Sequence, residues 1–421
     1  MPFLPFLPFL LPICIPMKEA ILVNSSRHQR RWGRRFAYAA VFILGLLFCA
    51  WRAIIWYAER TTPFAGPFLP TCGAVVSEGY AQAVEQARNH IQAMMSERQI
   101  PGLSICVSVA GKTVWSEGFG YADRERQIQA CPSTQFRIAS VSKTLSAAAM
   151  ARLYEQGRLD LDAPVQKYVP GFPDNGQTIT ARQLASHRSG IRDYRDDIEA
   201  VNLKNCPGVT ASLEHFKNDP PAFAPDSDYL YSGYGYALLG AVIEGASGED
   251  YLTCMRRQVF EPLQMNHTIE DRIDTPTLNQ SQFYDNVTPY SMDGQTRPSP
   301  RGDLSCKLPS GGFISTAEDL ARFGSAHIPS LDGGFLKSET IEMLFDPRTR
   351  QGGVLGHGMG WMTARDPRLR LAHFHFGAGS GATSVLAIFP NRGLSVAILA
   401  NLGHAKFPFA RLMGLVNPFL N

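Results

Sequence analysis

The chain has 421 residues, 45% of them hydrophobic, enough for a large core and one to three domains. The formal charge of +3 is uneven: residues 1–60 carry eight Lys/Arg against two Glu, so the remaining 361 residues sum to −3. A mildly acidic folded part with no basic stripe excludes a nucleic-acid binder.

Residues 2–10 repeat Pro-Phe-Leu three times. Proline at every third position forbids a helix there. Met17 offers an alternative start, which would leave residues 1–16 untranslated. Residues 36–58 are apolar apart from Arg52 and are expected to form a transmembrane anchor. At about 1.5 Å per residue this length crosses a bilayer. Five arginines precede the segment and few charges follow it. The positive-inside rule then keeps residues 1–35 cytoplasmic and exports the rest. The expectation is a single-pass protein of the cell inner membrane. Residues 36–58 would contact the lipid bilayer, and the folded domain would lie on the periplasmic, extracytoplasmic side. A cleaved signal peptide and a twin-arginine signal are the alternatives.

Residues 59–77, with their Pro, Gly and Thr, read as a linker to a folded domain over 78–421. Residues 78–98 have helical spacing. Two strands, 103–110 and 113–121, flank Gly111-Lys112 as a hairpin. Residues 144–153 are apolar and Ala-rich, with no Gly or Pro, and read as a buried helix. From about 130 to 345 amphipathic helices alternate with long Pro/Gly/Asp-rich loops. A strand at 373–377, two more at 383–389 and 394–401, and a helix over 407–416 close the chain. Strands at both ends with helices between predict an α/β (α+β) domain. Its antiparallel sheet is built from both chain ends and flanked by helices, with an inserted helical lobe and a cleft between.

Eight cysteines are present and no CxxC spacing occurs, which argues against a zinc ribbon or thioredoxin-like chemistry. Cys106 sits in a strand-like run and reads as a small buried hydrophobe. Cys72, Cys131, Cys206, Cys254 and Cys306 leave room for one or two disulfides, with no pairing singled out.

Three short motifs carry candidate chemistry. Ser140 and Lys143 lie three residues apart, so on a helix the amine reaches the hydroxyl and can activate it. Ser140 at a helix N-terminus would also meet free N–H groups. Tyr231, followed by Ser232-Gly233, can pass protons if nearby positive charge lowers its pKa of about 10. His375-Phe376-Gly377 opens the closing strands. There a cationic residue can hold a carboxylate, and glycine lets a substrate approach the backbone. Alone, each has a plain structural alternative. His373 shares a strand face with His375, but no third ligand is evident, so no metal is expected. Nucleotide binding through the glycines at 377, 379 and 381 has the wrong spacing.

The order Ser-x-x-Lys, Tyr-Ser-x, His-x-Gly resembles the serine β-lactamase and penicillin-binding protein superfamily. The nearest likeness is its class C-like branch, with esterases, D-stereospecific peptidases and a mitochondrial member. Residues 180–190 are similar to that branch's ITxRxLLxHTSG, 260–268 to FxPLGMxxT, 311–321 to GGLxSTAxDLA and 358–361 to GxGW. The resemblance covers about residues 80–403. It implies a β-lactamase/transpeptidase-like fold and a Ser140 acyl-enzyme. Lys143 and Tyr231 would share general-base and general-acid duty, and the backbone N–H groups of Ser140 and Ala378 would form the oxyanion hole. It implies no cofactor. His375 replaces the lysine of many relatives and is expected to titrate between about pH 5 and 8.

Gly233 stands where β-lactamases carry asparagine, and Phe376 where they carry Thr or Ser. With Gly377 these positions are the expected substrate contacts. The two departures predict weak β-lactam hydrolysis and a preference for a less polar amide or ester of a small molecule or peptide. The competing reading is a catalytically silent envelope or assembly protein on the same scaffold. The oligomeric state is left open.

Overall fold

The computed structural model describes residues 42–46, 49 and 69–420, save 175, 196–198, 200–205, 273–279, 287–295, 300–301, 332–333, 352–354, 367, 406 and 408. The chain divides into two units, Met1–Tyr57 and Ala58–Asn421. In the first, residues 42–46 and 49 are described, and they are helical. The expected membrane segment 36–58 therefore lies largely outside the described residues. Among the described residues no helix is long and apolar enough to cross a membrane.

The second unit opens with β1 (Thr71–Val76), α1 (Ala81–Arg98), β2 (Gly102–Val109), β3 (Lys112–Asp123) and α2 (Ser142–Glu155). Next come α3 (Gly233–Ser247) and α4 (Ala317–Ser325). It closes with β4 (Thr349–Gln351), β5 (Leu355–His357), β6 (Met362–Arg365), β7 (Leu371–Gly379), β8 (Ala382–Phe389), β9 (Leu394–Ala400) and α5 (Phe409–Leu420). The main sheet runs β1-β3-β2-β9-β8-β7-β6-β5-β4, with Ile128–Gln129 attached to β3. At its centre the two ends of the chain meet. β2 pairs antiparallel with β9, from Leu103 opposite Ala400 to Val109 opposite Leu394.

Strand alternation divides the core into two layers. Ile105, Val107, Val385, Val396 and Ile398 face α1 and α5, beside Ile91, Met95 and Phe419. Cys106, Leu386, Ala397 and Leu399 face the other way, toward α4, in the core layer that also holds α2 and α3. The central strands are covered on both sides, so they read as continuous apolar runs rather than alternating ones. The helical insert joins β3 to β4. It also holds a small sheet of Phe136–Arg137, Phe313–Ser315 and Ile269–Glu270.

α2 and α3 are buried along most of their length. Alanines let α2 pack closely against its neighbours, and a helix apolar all round belongs in a core. The Ser232 hydroxyl caps α3 by accepting the Gly235 N–H at 2.8 Å.

The expected closing strands and the first hairpin are present, shifted by one or two residues at their ends. Two features differ from the sequence reading. β4, β5 and β6 are strands of three or four residues that the glycines around them conceal. Thr71–Val76, read as linker, is a strand on β3, and Cys72 is bonded to Cys131. A second disulfide joins Cys206 to Cys306. Cys106 is a buried thiol, as expected, and burial pushes its pKa up to about 12.

The Cys72–Cys131 bridge spans 59 residues and ties the sheet's edge strand to the start of the insert. Cys72→Ala is expected to lower the unfolding free energy by about 2–5 kcal/mol. A drop in the denaturant midpoint, with native circular dichroism retained, checks this.

Candidate active site

Ser140 lies in the single 3-10 turn Ala139–Val141, one step before α2 begins. Ala139 has φ +44°, a left-handed conformation that costs a non-glycine residue about 1–3 kcal/mol. The neighbouring strand holds the turn in that shape. A Cβ on Gly377 of β7 would lie 2.1 Å from Ser384 Oγ, 2.3 Å from the Ile138 carbonyl oxygen and 3.2 Å from Ser140 N. Only glycine permits that approach. From β8, Ser384 Oγ donates to the Ile138 carbonyl at 2.6 Å. β6 pairs with β7 only from Leu371 to Phe374. Beyond that point, among the described residues, one edge of β7 is unpaired by any strand. Ala378 lies on this stretch and is exposed.

Lys143 is buried beneath the serine. Its Nζ donates to Ser140 Oγ at 3.3 Å and to the Ser310 carbonyl at 2.8 Å. The rings of Tyr231 and Tyr236 flank the amine at 4.7 and 5.4 Å. Burial pushes the ammonium down to about 7, with the Asp193 carboxylate opposing the shift. At neutral pH a large fraction of this lysine is therefore a free amine.

Tyr231 shares a hydrogen bond with Ser140. Burial raises its phenol above the ordinary value, and the Ser140 bond only partly offsets this. The lowered pKa expected of a proton-transferring Tyr231 is absent; Lys143 is the group whose pKa approaches neutrality. The Tyr231 ring rests on His187, with centroids 4.4 Å apart. His187 is fixed in turn, because its Nδ1 accepts the Ser232 N–H at 3.1 Å.

His375 does not titrate between pH 5 and 8. Burial, reinforced by the Lys143 charge, lowers it to about 3. Its Nδ1 lies 2.7 Å from the Phe376 carbonyl. A carbonyl only accepts, so Nδ1 carries the proton and Nε2 is an acceptor. His375 is thus a neutral residue, and the expected cation for a substrate carboxylate is missing from this strand.

The expected substrate positions differ in their placement. Gly233 donates its N–H to Asp193 Oδ1 at 2.8 Å. A Cβ there would lie 2.7 Å from the Tyr194 hydroxyl and ring. Tyr194 thus occupies the room that an asparagine side chain would need. Phe376 turns to the other face of the sheet, where it meets Phe374 at 5.2 Å between centroids and packs on the α1–α5 layer. Its side chain does not belong to the Ser140 face.

Asp193, Tyr194, Lys307 and Ser310 belong to this neighbourhood and were not among the candidates. Their cue was position only: Asp193 follows the 180–190 motif closely, and Lys307 precedes Gly311-Gly312. Among the described residues His373 and His375 belong to no cluster of three metal-ligating side chains, and His373 Nδ1 is bonded to Thr363 Oγ1 at 2.8 Å. Cys206, His215 and Cys306 cluster with metal-like spacing, but the two sulfurs are joined to each other and offer no thiolate.

A serine bonded to a buried lysine and a tyrosine, on a sheet with helices on both faces, defines a serine hydrolase of the β-lactamase/transpeptidase fold. The chain belongs to the Beta-lactamase family, which it matches over residues 87–414. It is 33% identical to the Homo sapiens serine beta-lactamase-like protein LACTB, mitochondrial, over 77% of this chain and 78% of that protein. It is also similar to the octameric penicillin-binding protein homologue from Pyrococcus abyssi, with a TM-score of 0.69 and 26% identity, covering 79% of this chain and 77% of that one. The D-amino acid amidase from Ochrobactrum anthropi SV3 shares the fold, with a TM-score of 0.67 and 24% identity over 80% and 96% of the two chains. The expected placement in the cell inner membrane, single-pass and with the domain on the periplasmic, extracytoplasmic side, is overturned by the mitochondrial naming of the LACTB relatives.

Because Lys143 is lowered to about 7, its neutral form is lost as pH falls through that value. Labelling of Ser140 by a fluorophosphonate is expected to rise about tenfold per pH unit below 7 and to level off above it. His375→Asn is expected to leave the position of that limb near 7, since His375 is neutral throughout. Labelling rates from pH 5 to 9 check both.

Proposed function

We propose that the chain hydrolyses small amide or ester substrates through an acyl-enzyme on Ser140, carried by the domain from about residue 69 to 420. The observation that carries this reading is the Lys143 amine, 3.3 Å from the Ser140 hydroxyl and with its pKa lowered to about 7. A base with that pKa near the operating pH is suited to take the serine's proton.

In the proposed first step Ser140 Oγ bonds to the substrate carbonyl carbon as its proton passes to Lys143. The backbone N–H groups of Ser140 and Ala378 hold the oxyanion, a contribution of about 3 kcal/mol for such donors. The bond to the leaving nitrogen or oxygen then breaks. The departing atom takes the proton from Lys143 by way of the Tyr231 hydroxyl, which stays a neutral phenol throughout. In the second step water attacks the acyl-serine and gives a proton to Lys143, which returns it to Ser140 Oγ. His375 is a neutral hydrogen-bonding neighbour. Gly377 keeps the β7 edge close enough to receive the substrate.

The relatives named as a D-amino acid amidase, a D-stereospecific amidohydrolase and a hydrolase with promiscuous acyltransferase activity support an amide or ester as the substrate class. Poor use of β-lactams is supported by Tyr194 filling the space at Gly233 that an asparagine side chain would need.

The test is covalent labelling with a fluorophosphonate, followed by turnover of p-nitrophenyl esters and a chromogenic cephalosporin. The expected result is a label lost in Ser140→Ala and slowed about 10²–10⁴-fold in Lys143→Ala. Ester turnover should far exceed that of the cephalosporin. A protein that takes no Ser140-dependent label would instead be a non-catalytic member of the family. Cephalosporin turnover matching the esters would overturn the substrate reading.

A further inference from the structure

Lys307 is a second lysine beside the nucleophile that the acyl-enzyme chemistry leaves unused. It sits in the turn Ser305–Lys307, just before the helix Leu308–Gly311, whose Ser310 carbonyl receives the Lys143 amine. The Ser310 side chain hydrogen-bonds Tyr194, and Lys307 Nζ stands 4.5 Å from the centre of the Tyr194 ring. Lys307 is thus linked to the Ser140–Lys143 pair through Ser310 and Tyr194. It lies on the side of the site where Tyr194 closes the space over Gly233.

Among the described residues its ammonium has no hydrogen-bond or ion-pair partner, only the Tyr194 ring. The charges that act on it are Lys143, Arg137 and Asp193. Lys143 repels it. Arg137 also repels it and is committed to Asp271 and to the Gly302 and Ser380 carbonyls. Asp193 attracts it, but one of that carboxylate's oxygens already accepts the Gly233 N–H. A half-buried cation with no hydrogen-bonded anion is poorly solvated, and a carboxylate arriving with the substrate would satisfy it. His375, uncharged, cannot take that part.

Resting on the hydrolase reading above, we propose that Lys307 is a specificity-determining residue: it receives a carboxylate on the acyl part of the substrate, so that acidic acyl groups are preferred over neutral ones of the same length. The ring of Tyr194 forms the floor of this subsite and fixes where the ammonium stands.

The experiment compares kcat/KM for the mono-p-nitrophenyl ester of adipic acid with that for p-nitrophenyl hexanoate, which has the same chain length and no carboxylate. The expected preference for the adipate is about ten- to hundredfold, the range of one charge-assisted hydrogen bond. Lys307→Met should collapse the ratio toward one, and Lys307→Arg should retain most of it. Burial lowers Lys307 to about 8, so in the wild type the preference should also fade as pH rises through that value. A merely structural lysine would not give that loss, and this arm needs no variant. A wild-type ratio near one, with Ser140 labelling intact, would overturn the inference and leave the hydrolase reading standing. So would a ratio unchanged in Lys307→Met. Absence of both Ser140 labelling and ester turnover would overturn both readings.

Discussion

The contact on which the rest of the site depends is between two stretches of backbone. Gly377 of β7 lies so close to the Ile138 carbonyl and Ser140 N that no methyl group fits between them. Ser384, one strand further in, bonds to that same Ile138 carbonyl. The serine's turn is therefore fastened to the middle of the sheet rather than left on a surface loop. The left-handed Ala139 persists because its surroundings over-determine it. As the proposed nucleophile, Ser140 is held by its own main chain and needs little from its side-chain rotamer, and the N–H groups beside it are fixed by the same turn.

Burial does the remaining work. The same dry environment lowers Lys143 toward neutrality, raises Tyr231 and keeps His375 a neutral imidazole. All three shifts have desolvation as their largest cause, and they point in the directions that desolvation dictates for an amine, a phenol and an imidazole. The outcome is a site whose inner residues are close to uncharged in the resting state. Charge then develops during reaction, where fixed dipoles act on it with little screening. Lys307 and the Asp193 carboxylate, which attracts it, are the charged neighbours of these inner residues.

Much of this was legible in the residues, for identifiable reasons. Ser140 and Lys143 are one helical turn apart, a local geometry that spacing alone conveys. Tyr231 and His375 were legible as positions, because short motifs carried them in a recognisable order. Their protonation was not, because it depends on burial and on neighbours far away in the chain: Ser140 and Asp193 around Tyr231, and Lys143 and His357 around His375. Gly233 and Phe376 stood out as departures, yet the cause of the first is Tyr194, thirty-nine residues earlier and outside every motif quoted. Phe376 was placed at the site by analogy, and strand alternation puts its ring on the opposite face. β1 was hidden in a stretch with the composition of a linker, and β4 to β6 were too short for periodicity to register.

The central pairing of β2 with β9 has a consequence for how the molecule comes into being. Nearly three hundred residues separate the two partners, and the strand that fastens the Ser140 turn is encoded almost as late. On the ribosome, Ser140 and Lys143 emerge long before β7 exists to hold them. Until β7, β8 and β9 have joined the sheet, the insert has no floor and its apolar face stays open. Such long-range closure is slow compared with local helix formation and leaves hydrophobic surface waiting. Any chain cut short before these strands would carry Ser140 and Lys143 without the edge that holds their turn in place, so under the proposed mechanism a partly made protein is silent by construction.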